Sequence, residues 1–270
     1  MVPISISDAD DPRLSDYRQL KERHLNLLGG RFIAESERVV RRLLDSGLRV
    51  HSVLVTPVRA ASLADGLATW IGKHEPIPIY VVAQNLMNVI AGFHVHRGCL
   101  AVGERPARAA LPPGARTIVV LEDLVDVENL GAIVRNAAAL GADAICLSPA
   151  CADPFYRQAI RVSLGGVFFL PLIRFVSWPD DLLALRTAGF TLVAATPRPG
   201  ATPLPDFRRP ERLALLLGSE GPGLSEAVLS LADHRVAIPM APAADSLNVA
   251  TAGAVLLYQL RAPPTANPSR

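Results

Sequence analysis

Cysteine is nearly absent: Cys99, Cys146 and Cys151 are the three in 270 residues, and no two form a CxxC pair. So sparse and odd a count excludes a disulfide framework and fits reduced thiols in a cytoplasm. Aromatic residues make up 5% of the chain, too few for wide base-stacking platforms. No apolar run reaches the ~18 residues of a membrane span. The leading MVPISISDADDPR lacks the basic-then-apolar order of a signal peptide. Neither charge sign dominates: 27 Lys/Arg stand against 25 Asp/Glu, a net +2, so only the distribution of charge can point to a partner. No GxGxxG follows the first strand of either half, so a dinucleotide fingerprint is missing. The stretch Gly66 to Lys73 is one residue too long for a phosphate loop, with His74 in place of Ser/Thr. Gly218-Ser219-Glu220-Gly221 lacks the central serine of a hydrolase elbow.

What is present is a folded composition, half apolar and 19% charged, long enough for one or two domains. Residues 1–12 read as a loose acidic leader. In 13–104, periodicity predicts a helix over Leu14–Leu28 and another spanning Phe32 to Leu44, closed by Gly47. Strands follow at Val53–Val55, Ile77–Val82 and Cys99–Val102, with helices at Ser62–Ile71 and Gln84–Ala91, the pattern of a small α/β domain. The proline-rich stretch 105–116 is the domain boundary. Beyond it, strands are predicted at Thr117–Leu121, Ala142–Leu147, Val167–Leu170, Thr191–Ala195, Leu213–Leu217 and Val236–Ile238. Helices are predicted at Leu130–Leu140, Phe155–Val162 and Asp181–Ala188, with Asn129 as an N-cap and an apolar helix after Asn248. Residues 117–262 thus form a doubly wound, mostly parallel α/β domain, and 263–270 a loose tail.

The first half is locally basic. Arg18, Lys21, Arg23, Arg31, Arg38 and Arg41 are the candidate RNA contacts, through backbone phosphates rather than bases, although such a run can equally be a solvated helical face. His94 and His96 form an HxH on one strand face, a spacing that can bind metal. No third ligand completes it, so no metal site is assigned. Two strand-end loops, Gly218–Gly223 and Pro239–Pro242 with Ser246-Leu247-Asn248, stand where α/β sheets place ligands.

Three segments in one order, NLGAIVRNAAALGA (129–142), LLLGSEGPGLS (215–225) and IPMAPAADSLNVATAGAVLL (238–257), resemble the motifs of the SpoU/TrmH family of RNA ribose 2′-O-methyltransferases. The first half, with GRFIAESERVVRRLL and AGFHVHRGCLA, resembles the ribosomal-protein-L30-like (L30e-like) substrate-binding domain. The resemblance implies a deep trefoil knot in the C-terminal SPOUT-type domain and a homodimer whose active site draws on both subunits. It also implies S-adenosylmethionine as cofactor, held by Leu217, Gly218, Ser219, Ile238, Met240 and Leu247. Arg135, Asn129, Glu220, Ser246 and Asn248 would form the reaction centre. There Arg135 acts as base or as electrostatic stabiliser, Asn129 and Glu220 orient it, and Ser246 and Asn248 order the surrounding loop. Ribosomal RNA is the favoured substrate, with 2′-O-methylguanosine as product. The alternatives are a transfer-RNA methyltransferase and a knotted RNA-binding protein without catalysis. The chain departs from the family pattern at Val127, Ser219 and Ala250, where proline, asparagine and serine are common.

Overall fold

The computed structural model describes residues 3–18, 20, 30–71, 76–107, 109–241 and 246–262, the side chains of residues 68 and 71 excepted. Two units emerge, one of Met1–Ala107 with Phe155–Phe169, the other of Arg108–Pro154 with Leu170–Arg270. The segment Phe155–Phe169, which lies beyond the proline-rich boundary in sequence, therefore packs with the first unit.

The first unit contains β1 (Ile4–Ser5), a 3-10 turn (Pro12–Tyr17), β2 (Arg31–Glu35), α1 (Glu37–Asp45), β3 (Val50–Val55), α2 (Pro57–Ile71), β4 (Ile79–Val81), α3 (Gln84–Ala91) and β5 (Cys99–Glu104). From later in the chain it takes α5 (Arg157–Val162). Its sheet has the order β1-β4-β3-β5-β2, with β5 antiparallel to both neighbours and the other pairs parallel. Alternation along β2 sorts its side chains between two faces. Ile33 joins Leu14, Tyr17, Leu54, Met87 and Leu100 in one core. Phe32 points the other way, with ring centroids 5.2 Å from Phe155 and 5.3 Å from Phe168. Gly103, opposite on β5, makes that possible: a Cβ there would lie 2.4 Å from the Phe32 ring.

Four sequence expectations change here. Phe32 is not helical; the predicted helix splits at Ser36, whose φ of 89° turns β2 directly into α1. Phe32 stands seven residues before Val39, so its helical spacing is coincidental. The leader is not loose at Ile4–Ser5, which pair with Tyr80 and Val81, and Ile6 beyond them is buried. The helix expected over Leu14–Leu28 begins as the 3-10 turn at Pro12–Tyr17, and residues 21–29 lie outside the described residues. His94 and His96 sit in the loop before β5 rather than on a strand, their rings 4.4 Å apart.

The second unit runs β6 (Thr117–Leu121), α4 (Val127–Ala139), β7 (Ala144–Leu147), β8 (Leu172–Arg174), α6 (Asp181–Thr187), β9 (Thr191–Ala195), β10 (Thr202–Pro203), β11 (Leu213–Leu217), α7 (Glu226–Leu231), β12 (His234–Ala237) and α8 (Val249–Gln259). The sheet order is β10-β12-β9-β11-β6-β7-β8, and every described pairing is parallel. The sequences TIVVL and LALLL of β6 and β11 are buried along their whole length, as strands covered on both faces must be. On one face Ile118, Val120 and Leu216 meet Leu182, Leu185 and Val228. On the other α8 packs so closely that a Cβ on Gly253 would stand 3.1 Å from Leu217, and Asn136 of α4 donates to the Ala250 carbonyl at 3.0 Å. The strand predicted at Val167–Leu170 is instead a 3-10 turn at Gly166–Phe168, because Phe168 packs on Phe32. The strand itself comes later, as β8.

Chain order reverses between β11 and β6, since β7 lies to one side of that pair and β9 to the other. Crevices beyond the carboxyl ends of strands at such a reversal are where open parallel sheets bind ligands.

Candidate active site

A cavity of about 470 Å³ opens at that end of the sheet, within the roughly 300–1,000 Å³ usual for small-molecule sites. Its walls are the loops leaving three neighbouring strands: Ala195–Pro197 after β9, Leu217–Gly221 and Gly223 after β11, and Ile238 and Met240 after β12. Ser246, Leu247, Asn248 and the first turns of α8 close it. The β11 loop folds back on itself, with the Gly223 amide donating to the Ser219 carbonyl at 3.2 Å. Only glycine fits at 218, because a Cβ would lie 2.2 Å from the Gly223 carbonyl carbon. Main chain therefore forms one wall, while Leu217, Val236, Ile238, Leu247 and Leu256 supply apolar surface.

This lining fits S-adenosylmethionine. The apolar side chains suit the faces of adenine, and exposed main chain suits its hydrogen-bonding edge. Glu220 is the one charged side chain among the described lining residues, and its carboxylate suits a cationic ligand. All six residues proposed for the cofactor, Leu217, Gly218, Ser219, Ile238, Met240 and Leu247, line the cavity.

At the rim, three side chains from three elements meet. Asn248 donates from Nδ2 to Asn129 Oδ1 at 2.8 Å and to Glu220 Oε1 at 2.7 Å. Asn129 donates from its own Nδ2 to the same Glu220 oxygen at 2.9 Å. The remaining group of Asn248, Oδ1, accepts from the amides of Ala250 and Thr251 at 3.0 and 3.2 Å, so this residue is also the N-cap of α8. Every polar valence of that amide is used, which fixes both its orientation and the end of the helix. Asn129 is not the cap of α4. Asp126 is, accepting from the Asn129 amide at 2.7 Å, and helix begins at Val127. The proline common in the family at 127 would occupy the first helical position, which valine also fills without strain.

Arg135 stands apart. Six residues at 100° each put it roughly 120° around α4 from Asn129. It is exposed, makes no hydrogen bond or ion pair among the described residues, and does not line the cavity. Within one chain, then, Asn129, Glu220 and Asn248 touch each other but not Arg135; Ser246 lines the cavity beside them.

The candidate RNA contacts separate in the same way. Arg38 and Arg41 line a second cavity, in the first unit. Arg31 is paired with Asp16 at 2.6 Å, and Arg18 is half-buried, donating to the Asp11 carbonyl at 2.9 Å. Lys21 and Arg23 lie outside the described residues.

Sequence reasoning overlooked Glu122. This carboxylate, 4% exposed, follows β6 and accepts from Trp178 Nε1 at 3.0 Å, Ser225 N at 2.8 Å and Ser225 Oγ at 2.7 Å. Its own amide donates to the Leu217 carbonyl at 2.9 Å. It thereby ties together both ends of the glycine loop. An acidic residue directly after a buried strand was the available signal. No helix among the described residues is long and apolar enough to cross a membrane, and no group of three His, Cys, Asp or Glu side chains among them could hold a metal ion.

The family model for the SpoU rRNA Methylase family matches residues 116–258. An uncharacterised tRNA/rRNA methyltransferase of Mycobacterium tuberculosis is 44% identical over 264 residues, covering 94% of this chain and 90% of that protein. The 23S rRNA (guanosine(2553)-2′-O)-methyltransferase of Bacillus subtilis is 27% identical over 256 residues, 95% of this chain and 98% of that one. Among solved structures, an AdoMet-bound rRNA methyltransferase from Sinorhizobium meliloti superposes with a TM-score of 0.80 at 25% identity, covering 95% and 96% of the two chains. The AdoMet complex of a SpoU methyltransferase from Streptomyces viridochromogenes gives 0.76 at 26%, covering 93% and 97%. The family's match lies over the unit that holds the cavity and its Asn129–Glu220–Asn248 rim, and the chain belongs to the SpoU rRNA Methylase family.

Proposed function

We propose that this chain transfers a methyl group from S-adenosylmethionine to a ribose 2′-hydroxyl of ribosomal RNA, in the cytoplasm, with 2′-O-methylguanosine as product. The observation that carries the reading is the rim of Asn129, Glu220 and Asn248 above a cavity walled by main chain and apolar side chains. The 23S rRNA target of the Bacillus subtilis relative supports ribosomal RNA over transfer RNA.

When bound, S-adenosylmethionine supplies an electrophilic methyl on a cationic sulfur. The chain's task is to hold the attacking oxygen in line with that methyl and to keep competing water out. Positioning of this kind accounts for ~7–11 kcal/mol of a barrier. Leu217, Ile238 and Leu247 exclude water, while the bonded rim holds Glu220 and Asn248 in one arrangement. The guanidinium of Arg135 offers N–H donors and no acceptor for a proton, so it serves as a stabiliser of negative charge on the 2′-oxygen and its neighbouring phosphate rather than as a base.

Because Arg135 does not line its own chain's cavity, the working unit is a homodimer in which a second copy provides it. The exposed apolar surface of α8, Val255 and Tyr258 with Leu247 before it, supports such pairing. Strand β9 lying between β11 and β12 supports a trefoil knot threaded through the last loops, and the mixed five-stranded sheet of the first unit supports an L30e-like domain. Pulling the chain from both ends in an optical trap tests the knot; a fully extended contour length would rule it out.

The shared site is tested by mixing. Arg135→Ala keeps the cavity and loses the guanidinium; Gly218→Ala blocks the cavity and keeps it. Each alone is expected to lose ~10²–10³-fold in kcat. Co-expressed chains should regain about a quarter of wild-type turnover, half the dimers being mixed with one working site of two. No regain would sink the shared site, and near-native turnover by Arg135→Ala alone would remove Arg135 from the chemistry.

A further inference from the structure

Five arginines converge on one concave face of the first unit. Arg38, Arg41 and Arg42 come from α1, Arg59 from the start of α2, and Arg97 from the turn before β5. Together with Glu37 they line a cavity of about 510 Å³. Five cations around one carboxylate repel one another unless an anion joins them.

Glu37 fixes part of the array. Its Oε1 accepts from Arg41 Nε at 3.1 Å and Nη2 at 2.8 Å, and its Oε2 from Arg59 Nη1 at 3.0 Å and Ser62 Oγ at 3.1 Å. The Arg41 guanidinium holds the Glu37 carboxyl below its usual range, so the clamp stays ionised. Arg59 also donates from Nε to the Arg97 carbonyl at 3.1 Å, and the Arg42 guanidinium lies 4.9 Å over the Phe169 ring. Three of the five are thus held by protein partners. Arg38 and Arg97 are exposed, and their guanidinium groups engage nothing among the described residues. The turn presenting Arg97 is fixed by Gly98, at φ +55°, where a Cβ would stand 2.9 Å from Thr56.

We propose that this face binds the phosphates of an RNA strand, with Arg38 and Arg97 contacting phosphate oxygens and Arg41 and Arg59 flanking them. Guanidinium forks match phosphate geometry, and contacts to the backbone position a strand without reading its bases. Arg59 and Arg97 lie 21 and 59 residues beyond Arg38, so no run of basic residues in the sequence announces this set. The proposal rests on RNA being the substrate of the site in the second unit.

The test is anisotropy with a labelled single-stranded RNA of about 20 nucleotides, from roughly 50 to 200 mM salt. For Arg38→Ala/Arg97→Ala the expected result is a loss of about tenfold or more in affinity, and a salt dependence shallower by about 1.4 in log–log slope, two contacts at ~0.7 each. Affinity for S-adenosylmethionine, by calorimetry, stays at the wild-type value. Arg13→Ala/Arg49→Ala removes the same charge from exposed, ion-paired arginines of the same unit and is expected to change RNA binding little. Equal losses in the two double variants, or an unchanged slope in the first, would overturn the site. Tight binding of guanosine 5′-monophosphate, lost in Arg38→Ala/Arg97→Ala, would make this a mononucleotide site and overturn the strand reading. Wild-type protein that binds cofactor but no RNA would instead overturn the substrate reading beneath the proposal.

Discussion

Asn248 does two jobs with one amide, and substitutions can separate them. Aspartate caps helices as well as asparagine does, so Asn248→Asp keeps the acceptor toward Ala250 and Thr251 while replacing the donor toward Glu220 with a second carboxylate. The helix should hold, whereas cofactor affinity should fall about tenfold or more as two carboxylates oppose each other at 2.7 Å spacing. Calorimetric titration beside a thermal melt distinguishes the two effects; loss of both together would mean the rim is merely a cap. Gly218→Ala is a harsher change, pressing a methyl into main chain at a cost of about 1–3 kcal/mol, which urea unfolding should register along with loss of cofactor binding. Both residues were legible in the sequence because they sit inside ordered motifs. Arg59 and Arg97 were not, since only the fold brings α2 and the turn before β5 to α1.

Between elements, the tie through Glu122 carries the largest expected penalty. Glu122→Ala leaves the Trp178 indole N–H and the Ser225 amide and hydroxyl without their acceptor, at about 1–3 kcal/mol for each group left buried and unpaired. A fall in unfolding free energy on the order of 2 kcal/mol or more is expected, read as a lower urea midpoint, with altered Trp178 fluorescence. An unchanged midpoint would show that water replaces the carboxylate freely. Most elements could be read from periodicity: Thr117–Leu121, Thr191–Ala195, Leu213–Leu217 and Gln84–Ala91 fall where their apolar patterns put them. The failures share a cause. At Phe32, Phe168 and Ile4, tertiary packing or pairing overrides a local pattern too short to fix its own period. Helix α7, six residues long, offered no periodicity at all, and its start is marked only by the Ser225 cap.

At the scale of the whole chain, acids held neutral by burial set an alkaline limit. Burial pushes the Cys99 and Cys146 thiols up to about 12 and raises the Tyr17 phenol further still. Unfolded thiols ionise near pH 9 and phenols near pH 10, so the unfolded state gains ionisation free energy above those values while the native state does not. Stability should be level between about pH 7 and pH 9 and fall steadily from there to pH 12, as urea midpoints at pH 8 and 10.5 would show; a flat profile would mean these groups titrate freely in the fold. All three thiols are buried, so a disulfide reagent at pH 8 should find none in native protein and three after denaturation. The backbone passes between the two units three times, after Ala107, after Pro154 and after Phe169. A fragment ending at the proline-rich stretch would therefore lack Phe155 and Phe168 and present the bare ring of Phe32 to water. Neither half is a portable cassette. A gene truncated at that stretch should yield an aggregating product, and soluble halves are more readily obtained if residues 155–169 are grafted back onto the first.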